Sequence, residues 1–454
     1  MVATRTVNLG RNRSLERGVT QALQDRKIYQ TILDNGITVI AVENPAADII
    51  SARIFVRAGS RWDPPGQSGI ANLMSAVLTK GTTQFSSLDI ANQVESVGAS
   101  LGADAAADYF LLSLKTVSAD FANILALAAK LLQSPTFPEE EVKLEQRLVL
   151  QAIRSQQEQP FTVAFDQLRQ SIYQDHAYAL SGLGTEETVS RLNRTALQIY
   201  HQTYFRPDNI VISLAGRIAP ETAISLVEKA FGDWRATPEP LPAVILPSIT
   251  PQPAQHITCQ ETQQSILMLG YLAPPVQRWT ADSHDLTTDY AVLKLLSTYL
   301  GNGLSSRLFV ELREKRGLAY EVSAFYPTRL DYSHFVAYMG TAPENTAIAL
   351  DGLQTEVERL CAVPLPDEEL IAAKNKLLGQ YALGKQTNSQ IAQVLGWYET
   401  LGLTVDFDLQ FQQDVAAVTP ELAQQTACKY FSKPYQSIVG PQAAVDLLAV
   451  PAVL

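Results

Sequence analysis

Phe137-Pro138-Glu139-Glu140-Glu141-Val142 recurs, slightly altered, as Leu365-Pro366-Asp367-Glu368-Glu369-Leu370, 228 residues later. A second pair follows in the same order. Tyr204-Phe205-Arg206-Pro207-Asp208-Asn209-Ile210 resembles Tyr430-Phe431-Ser432-Lys433-Pro434-Tyr435-Gln436 at an offset of 226 residues, and each leads into an apolar stretch ending in Gly216 or Gly440. Two matches in order at nearly one offset indicate a duplicated domain rather than a solenoid, whose repeats are shorter and more numerous. Between the copies, residues 236–255 hold Pro238, Pro240, Pro242, Pro247, Pro251 and Pro253. Proline at that density excludes a regular helix or a central strand, so this segment reads as an extended strap. The expected organisation is α+β. Two homologous halves, 20–235 and 256–445, each place a largely antiparallel sheet against helices and close as a clamshell around a cavity.

Local patterns support that class. Asp34-Asn35-Gly36 between Ile32-Leu33 and Ile37-Thr38-Val39-Ile40 predicts a hairpin. Ile50, Ala52, Ile54 and Val56 alternate with Ser51, Arg53, Phe55 and Arg57, a strand period. From Gly69 the period changes: Ile70, Leu73, Met74, Val77 and Leu78 predict an amphipathic helix running to Lys80 and stopping at Gly81. Further helices are expected over 86–97 and 121–132, a strand over 109–117, and a long helix from Pro138 to about Gln156.

The chain has 454 residues, 46% of them hydrophobic, which is ample for packed cores and excludes a disordered or fibrous chain. Net charge is −11 with no long Lys/Arg block, which argues against nucleic acid or an anionic membrane as partner and would suit basic peptides. Charged residues make up 18%, a low share that hints at surface covered by a partner. No apolar run is long enough for a membrane span: 124–132 comes nearest, and Lys130 interrupts it. The N-terminal segment carries Arg5, Arg11, Arg13 and Arg17 but no apolar core of a signal peptide. Cys259, Cys361 and Cys428 are sparse and odd in number, so they are expected to be buried, reduced thiols of a cytoplasmic protein.

Gly69-Ile70-Ala71-Asn72-Leu73-Met74-Ser75-Ala76-Val77-Leu78-Thr79-Lys80-Gly81-Thr82 resembles the zinc-site helix of the pitrilysin and mitochondrial-processing-peptidase family. Ser134–Pro138, Gly184-Thr185-Glu186-Glu187, Arg206–Asn209 and the run Ser305–Tyr320 resemble the same family, in its order, over residues 30–445. Catalytic members carry H-x-x-E-H on this helix, where two His at i and i+4 bind Zn²⁺ and the Glu serves as general base. The resemblance places Asn72 and Ala76 at the His positions, Ser75 at the base and Ala152 at the downstream Glu ligand. All four are lost, so no metal and no cofactor is expected in this chain. His176, His201, His256, His284 and His334 show no short ligand spacing and read as surface or hydrogen-bonded histidines.

Arg313 and Tyr320 match the family's arginine–tyrosine pair, which in the resemblance binds substrate backbone and the developing oxyanion. On local chemistry alone, Arg313 reads as a surface ion-pair residue and Tyr320 as a core aromatic. Leu304, Leu308 and Leu312 predict one face of a helix, Gly317 its C-cap, and Tyr320 the start of a strand with Val322 and Ala324 alternating. The resemblance implies a non-catalytic subunit that binds peptide substrate and activates a zinc-bearing paralogue in a heterodimer. A peptide-binding module, even a homodimer, and a structural scaffold are the alternatives.

Overall fold

The computed structural model describes residues 5–7, 27–277 and 284–449. Residues 20–26 of the expected first half, and Arg11, Arg13 and Arg17, lie outside the described residues. Within them, two compact units each combine one sheet with helices.

The first unit holds strands β1 (Arg5–Val7), β2 (Ile28–Ile32), β3 (Thr38–Glu43), β4 (Ile49–Val56), β5 (Ser100–Ala105), β6 (Phe110–Val117) and β7 (Ile210–Gly216). They lie in the order β1-β2-β3-β7-β4-β6-β5, antiparallel except for the parallel pair β3 and β7. The second unit holds β8 (Gln255–Cys259), β9 (Ser265–Ala273), β10 (Glu321–Phe325), β11 (Ser333–Thr341) and β12 (Tyr435–Gly440). Their order is β10-β11-β9-β12-β8, antiparallel except for β12 and β8. From β3 to β7 and from β8 to β12, the two sheets follow the same winding, including the position of the parallel pair. The duplication read from two short segments is therefore present in the topology. The repeated segments occupy equivalent places: Pro138 and Pro366 open the helices Glu139–Gln157 and Asp367–Leu383, and Tyr204 and Tyr430 close the helices before β7 and β12.

The hairpin forms where expected. Leu33 N–H donates to Ile37 O (2.9 Å) and Gly36 takes a left-handed φ of 97°, which Asn-Gly turns require. On β4, Ile50, Ala52, Ile54 and Val56 are fully buried in the main core with Leu73, Met74, Val77 and Phe121. The edge strand β5 was not expected. Its small residues and exposed alternate positions give little β signal of their own. The strap is extended, and Arg206 anchors its start through Asp208, Thr237 Oγ1 (3.0 Å) and Glu239 O (2.6 Å).

Neither unit is contiguous in sequence. The first includes residues Gln380–Phe407, and the second includes Arg154–Leu180. The helix Asn388–Thr400 packs on β4 and β7, while the helix Pro160–Tyr173 packs on β9 and β12. These two helices begin 228 residues apart, the offset of the first repeat, so equivalent helices have been exchanged between the halves. The first is pinned by Asn388 Nδ2 to Ile49 O (2.9 Å), Ser51 Oγ to Ser389 Oγ (2.9 Å) and Gln30 Nε2 to Glu399 Oε2 (3.1 Å). The second lays Leu168 and Ile172 over Gly270, while Tyr173 OH donates to Tyr332 O (3.1 Å).

The cysteines depart from expectation: Cys259 and Cys428 are exposed and Cys361 is half-buried. Cys259 ends an edge strand that is exposed along most of its length.

Candidate functional site

The helix Ile70–Val77 is shorter than predicted and gives way to turns over 78–80. Its start is built from buried backbone contacts. Asp63 accepts from Gly69 N (2.7 Å) and Ala71 N (3.2 Å), filling the role of a helix N-cap acceptor. Burial pushes the Asp63 carboxyl up to about 8, against the pull of these two donors. Gly69 (φ 95°) and Gly184 (φ 80°) sit back to back: a Cβ on Gly184 would lie 2.2 Å from Ser68 O. Thr188 Oγ1 donates to Ser68 O (2.7 Å), so the Gly184–Glu187 stretch docks directly on the start of this helix.

Ile70, Ala71, Leu73, Met74 and Val77 are buried, leaving Asn72, Ser75 and Ala76 half-buried on the opposite face. Ser75 Oγ donates back to Asn72 O (2.7 Å). The helix Glu139–Gln157 buries Val142, Val149 and Ile153, and Ala152 is half-buried on it. Lys80 Nζ pairs with Glu145 Oε1 (2.8 Å), tying this helix to the end of the first, and Gln146 Nε2 donates to Val189 O (2.8 Å) and Leu192 O (2.9 Å). The helix is thus present, while the four positions that the resemblance assigns to the zinc motif, three ligands and a base, carry an amide, a hydroxyl and two methyl groups. Asn and Ser are poor zinc ligands and Ala is none. Among the described residues, no group of three or more His, Cys, Asp or Glu side chains could hold a metal ion.

The histidines sit elsewhere. His201 Nε2 donates to Leu132 O (2.8 Å), and burial pushes its ring down to about 4. His334 Nδ1 meets Tyr173 OH (2.8 Å), and burial holds its ring well below the usual range. His176 Nδ1 accepts from Tyr178 N (3.1 Å), His256 is exposed, and the His284 side chain lies outside the described residues.

In the second unit the expected helix is a π-helix, Phe309–Lys315. Leu308 and Leu312 are buried, but Leu304 is 76% exposed and precedes the helix, because Gly303 turns there with a φ of 77°. Gly317 (φ 63°) closes the π-turn, its N–H on Arg313 O (3.1 Å) and that of Leu318 on Leu312 O (2.8 Å). Wider turns bring i and i+4 nearly into line. Accordingly, the Arg313 guanidinium lies over the Phe309 ring, 4.9 Å from its centroid. Arg313 is exposed and forms no ion pair among the described residues. Tyr320 is 61% exposed, which rules out a core aromatic, and its N–H bonds Gly340 O (2.9 Å) just before β10. Val322 and Ala324 are buried as expected.

Sequence reasoning missed the clamp that holds the π-turn. Arg307 pairs with Glu311 (3.0 Å) and with Glu356 (2.8 Å) on the helix Thr346–Ala362, and Lys315 also reaches Glu311 (2.8 Å). An open pocket of about 350 Å³ beside it is lined by Tyr299, Arg307, Glu311, Glu369 and Lys376. The 307/311/315 spacing was visible as i, i+4 charge pairs, whereas Glu356 comes from a distant helix and carried no local signal.

Residues 38–186 match the family model described as Insulinase (Peptidase family M16), and residues 191–377 match Peptidase M16 inactive domain. The second match leaves out the helix Ile70–Val77 and Ala152. The chain is 28% identical over 378 residues to an uncharacterized zinc protease, YmxG, of Bacillus subtilis, covering 81% of this chain and 88% of the relative. An uncharacterized zinc protease of Streptomyces coelicolor, SCO5738, is 25% identical over 424 residues, covering 91% and 90%. Among solved structures, a protease from Helicobacter pylori superposes with a TM-score of 0.84 at 21% identity, covering 91% of this chain and 99% of that one. A peptidase M16 inactive domain from Pseudomonas fluorescens gives 0.82 at 25% identity, covering 91% and 98%.

Proposed function

Because the chain belongs to peptidase family M16, the pitrilysin family, we propose that it is a non-catalytic subunit that binds peptide and activates a zinc-bearing paralogue in a heterodimer. One pairing of loss and retention supports this. The four zinc-motif positions carry Asn72, Ser75, Ala76 and Ala152, while Arg313 is exposed on a clamped π-turn and Tyr320 is exposed just before β10. π-turns cost regular helical hydrogen bonding and are frequent at functional sites. A scaffold has no need to present a guanidinium and a phenol to solvent.

The paralogue's zinc would supply the activated water. Arg313 would orient the peptide backbone, and both side chains would donate to the carbonyl oxygen as negative charge develops there. Arg313 stacks on Phe309 yet makes no ion pair among the described residues, and Tyr320 is 61% exposed, which leaves their N–H and O–H groups as donors. Cytoplasmic placement is part of the proposal, and the free state of all three cysteines supports it. Among the described residues no helix is long and apolar enough to cross a membrane.

The test begins with capture of the chain from its native lysate, where a partner with an intact H-x-x-E-H motif is expected. Alone, the chain should not cleave peptides. Added to that partner it should raise turnover strongly. Arg313→Ala or Tyr320→Phe should each remove about a hundredfold of that gain, roughly 3 kcal/mol, with assembly on gel filtration unchanged. Turnover should fall more than peptide capture weakens. If both variants activate as well as the unaltered chain, the scaffold alternative takes over. If peptides are captured while no zinc-bearing partner is recovered or activated, the binding module does.

A further inference from the structure

Two of the three cysteines are neighbours in space. Cys361 stands on the last turn of the helix Thr346–Ala362, and Cys428 on the helix Pro420–Tyr430, and these two helices pack together. Cys428 Sγ donates to Cys361 O (3.4 Å), and Gln424 Nε2 donates to the same carbonyl (2.8 Å). Cys428 is exposed and Cys361 half-buried, so a reagent reaches Cys428 first. Two cysteines held side by side across 67 residues of sequence, on helices that pack together, bring two sulfurs to one place, the first requirement of a disulfide.

We propose that Cys361 and Cys428 form a reactive dithiol, a modification site that closes to an intramolecular disulfide on meeting a small-molecule disulfide. The Cys428 thiolate attacks one sulfur of the oxidant, forming a mixed disulfide and releasing one small thiolate. The Cys361 sulfur then loses its proton to solvent and attacks Cys428 Sγ. The protein disulfide forms, the mixed disulfide breaks, and the second small thiolate leaves. Both cysteines are oxidised by two electrons in total, and the small disulfide is reduced by the same two. Burial, with the Cys428 thiol and Glu358 adding to it, pushes the Cys361 thiol up to about 12. Forming the mixed disulfide removes the Cys428 charge from that set, which eases the second step. The closed form ties the end of the helix that carries Gly352 and Glu356, against which Leu312, Arg316 and Arg307 rest. It would thus stiffen the support of the Arg313 turn.

The test uses the full-length chain in a series of oxidised and reduced glutathione mixtures, followed by alkylation and a non-reducing peptide map. Two thiols of the three should disappear together at one potential, giving a crosslinked 361–428 peptide while Cys259 reacts separately. In Cys361→Ser, glutathione should stay on Cys428. In Cys428→Ser, Cys361 should remain a free thiol. The proposal fails if the unaltered chain accumulates a stable glutathione adduct on Cys428 with Cys361 still free. It also fails if both thiols stay reduced where Cys259 is oxidised.

Discussion

Asn72 and Ala76 lie four residues apart on a helix that still caps, buries and packs as a metal-binding helix would, yet neither offers a nitrogen or sulfur ligand. Protein purified without chelators is expected to contain no stoichiometric zinc, as read by elemental analysis. Zinc at one equivalent, lost on changing Asn72 or Ser75, would overturn this. His201 allows a second expectation at the same scale. Its ring is neutral in the fold and titrates near about 4, against 6.5 for a free histidine. Between those values the unfolded chain binds the proton and the folded chain does not. Stability is therefore fully present above 6.5 and falls as pH drops toward 4, by on the order of 3 kcal/mol. Asp63 works in the opposite sense, since its raised pKa favours the fold at low pH. The informative quantity is the difference between the unaltered chain and His201→Phe. Urea midpoints measured at pH 7 and at about 4.5 should converge for the two proteins as pH falls; a constant gap would mean that His201 is not the titrating group.

Among the elements, glycines on two helices give opposite predictions. Gly396 lies on Asn388–Thr400, where a Cβ would approach Phe55 Cε2 to 2.4 Å, so Gly396→Ala should lift the helix from the sheet and cost about 1–3 kcal/mol. Gly379, on Asp367–Leu383, is exposed and has nothing within 4 Å of its Cβ position, so Gly379→Ala should stabilise by about 0.5–1 kcal/mol. Thermal melts of both variants decide it; equal effects would show that the close contact with Phe55 is not limiting. Much of this scale was legible. The hairpin at Asn35-Gly36, the strand over 49–56 and the helix from Ile70 follow from turn chemistry and period. The π-turn was not, because its hydrophobic spacing, Leu308 and Leu312, is the same i, i+4 that an α-helix shows. Nor was Leu304's exposure, which is decided by the Gly303 turn rather than by the apolarity of the leucine.

At the scale of the whole chain, the repeat offset disclosed two copies but not that each lends a helix to the other's sheet. That exchange depends on contacts between residues more than two hundred positions apart, which leave no trace in any local window. The four zinc-motif positions, three ligands and a base, are assigned only through the resemblance, since Asn72, Ser75 and Ala76 by themselves are an ordinary half-buried face. The exchange has a measurable consequence. Ile391, Leu395 and Tyr398 of the borrowed helix are almost completely buried in the first unit. Burying three such side chains contributes roughly 5–9 kcal/mol, comparable with the total of about 5–15 kcal/mol that holds a domain together. A fragment cut at the strap, residues 1–245, contains every strand of the first sheet but leaves Phe55 and Ser213 without their cover. It is expected to lose cooperative urea unfolding and to bind a hydrophobic dye. A chain joining residues 1–153, 181–245 and 380–407 through flexible linkers, the full first unit, should unfold in one transition followed equally by tryptophan fluorescence and far-ultraviolet circular dichroism. If the contiguous fragment unfolds as sharply as the joined one, the borrowed helix is a covering added to a self-sufficient sheet. If only the joined chain does, each half folds by way of the other, and the strap must let both copies emerge before either is complete.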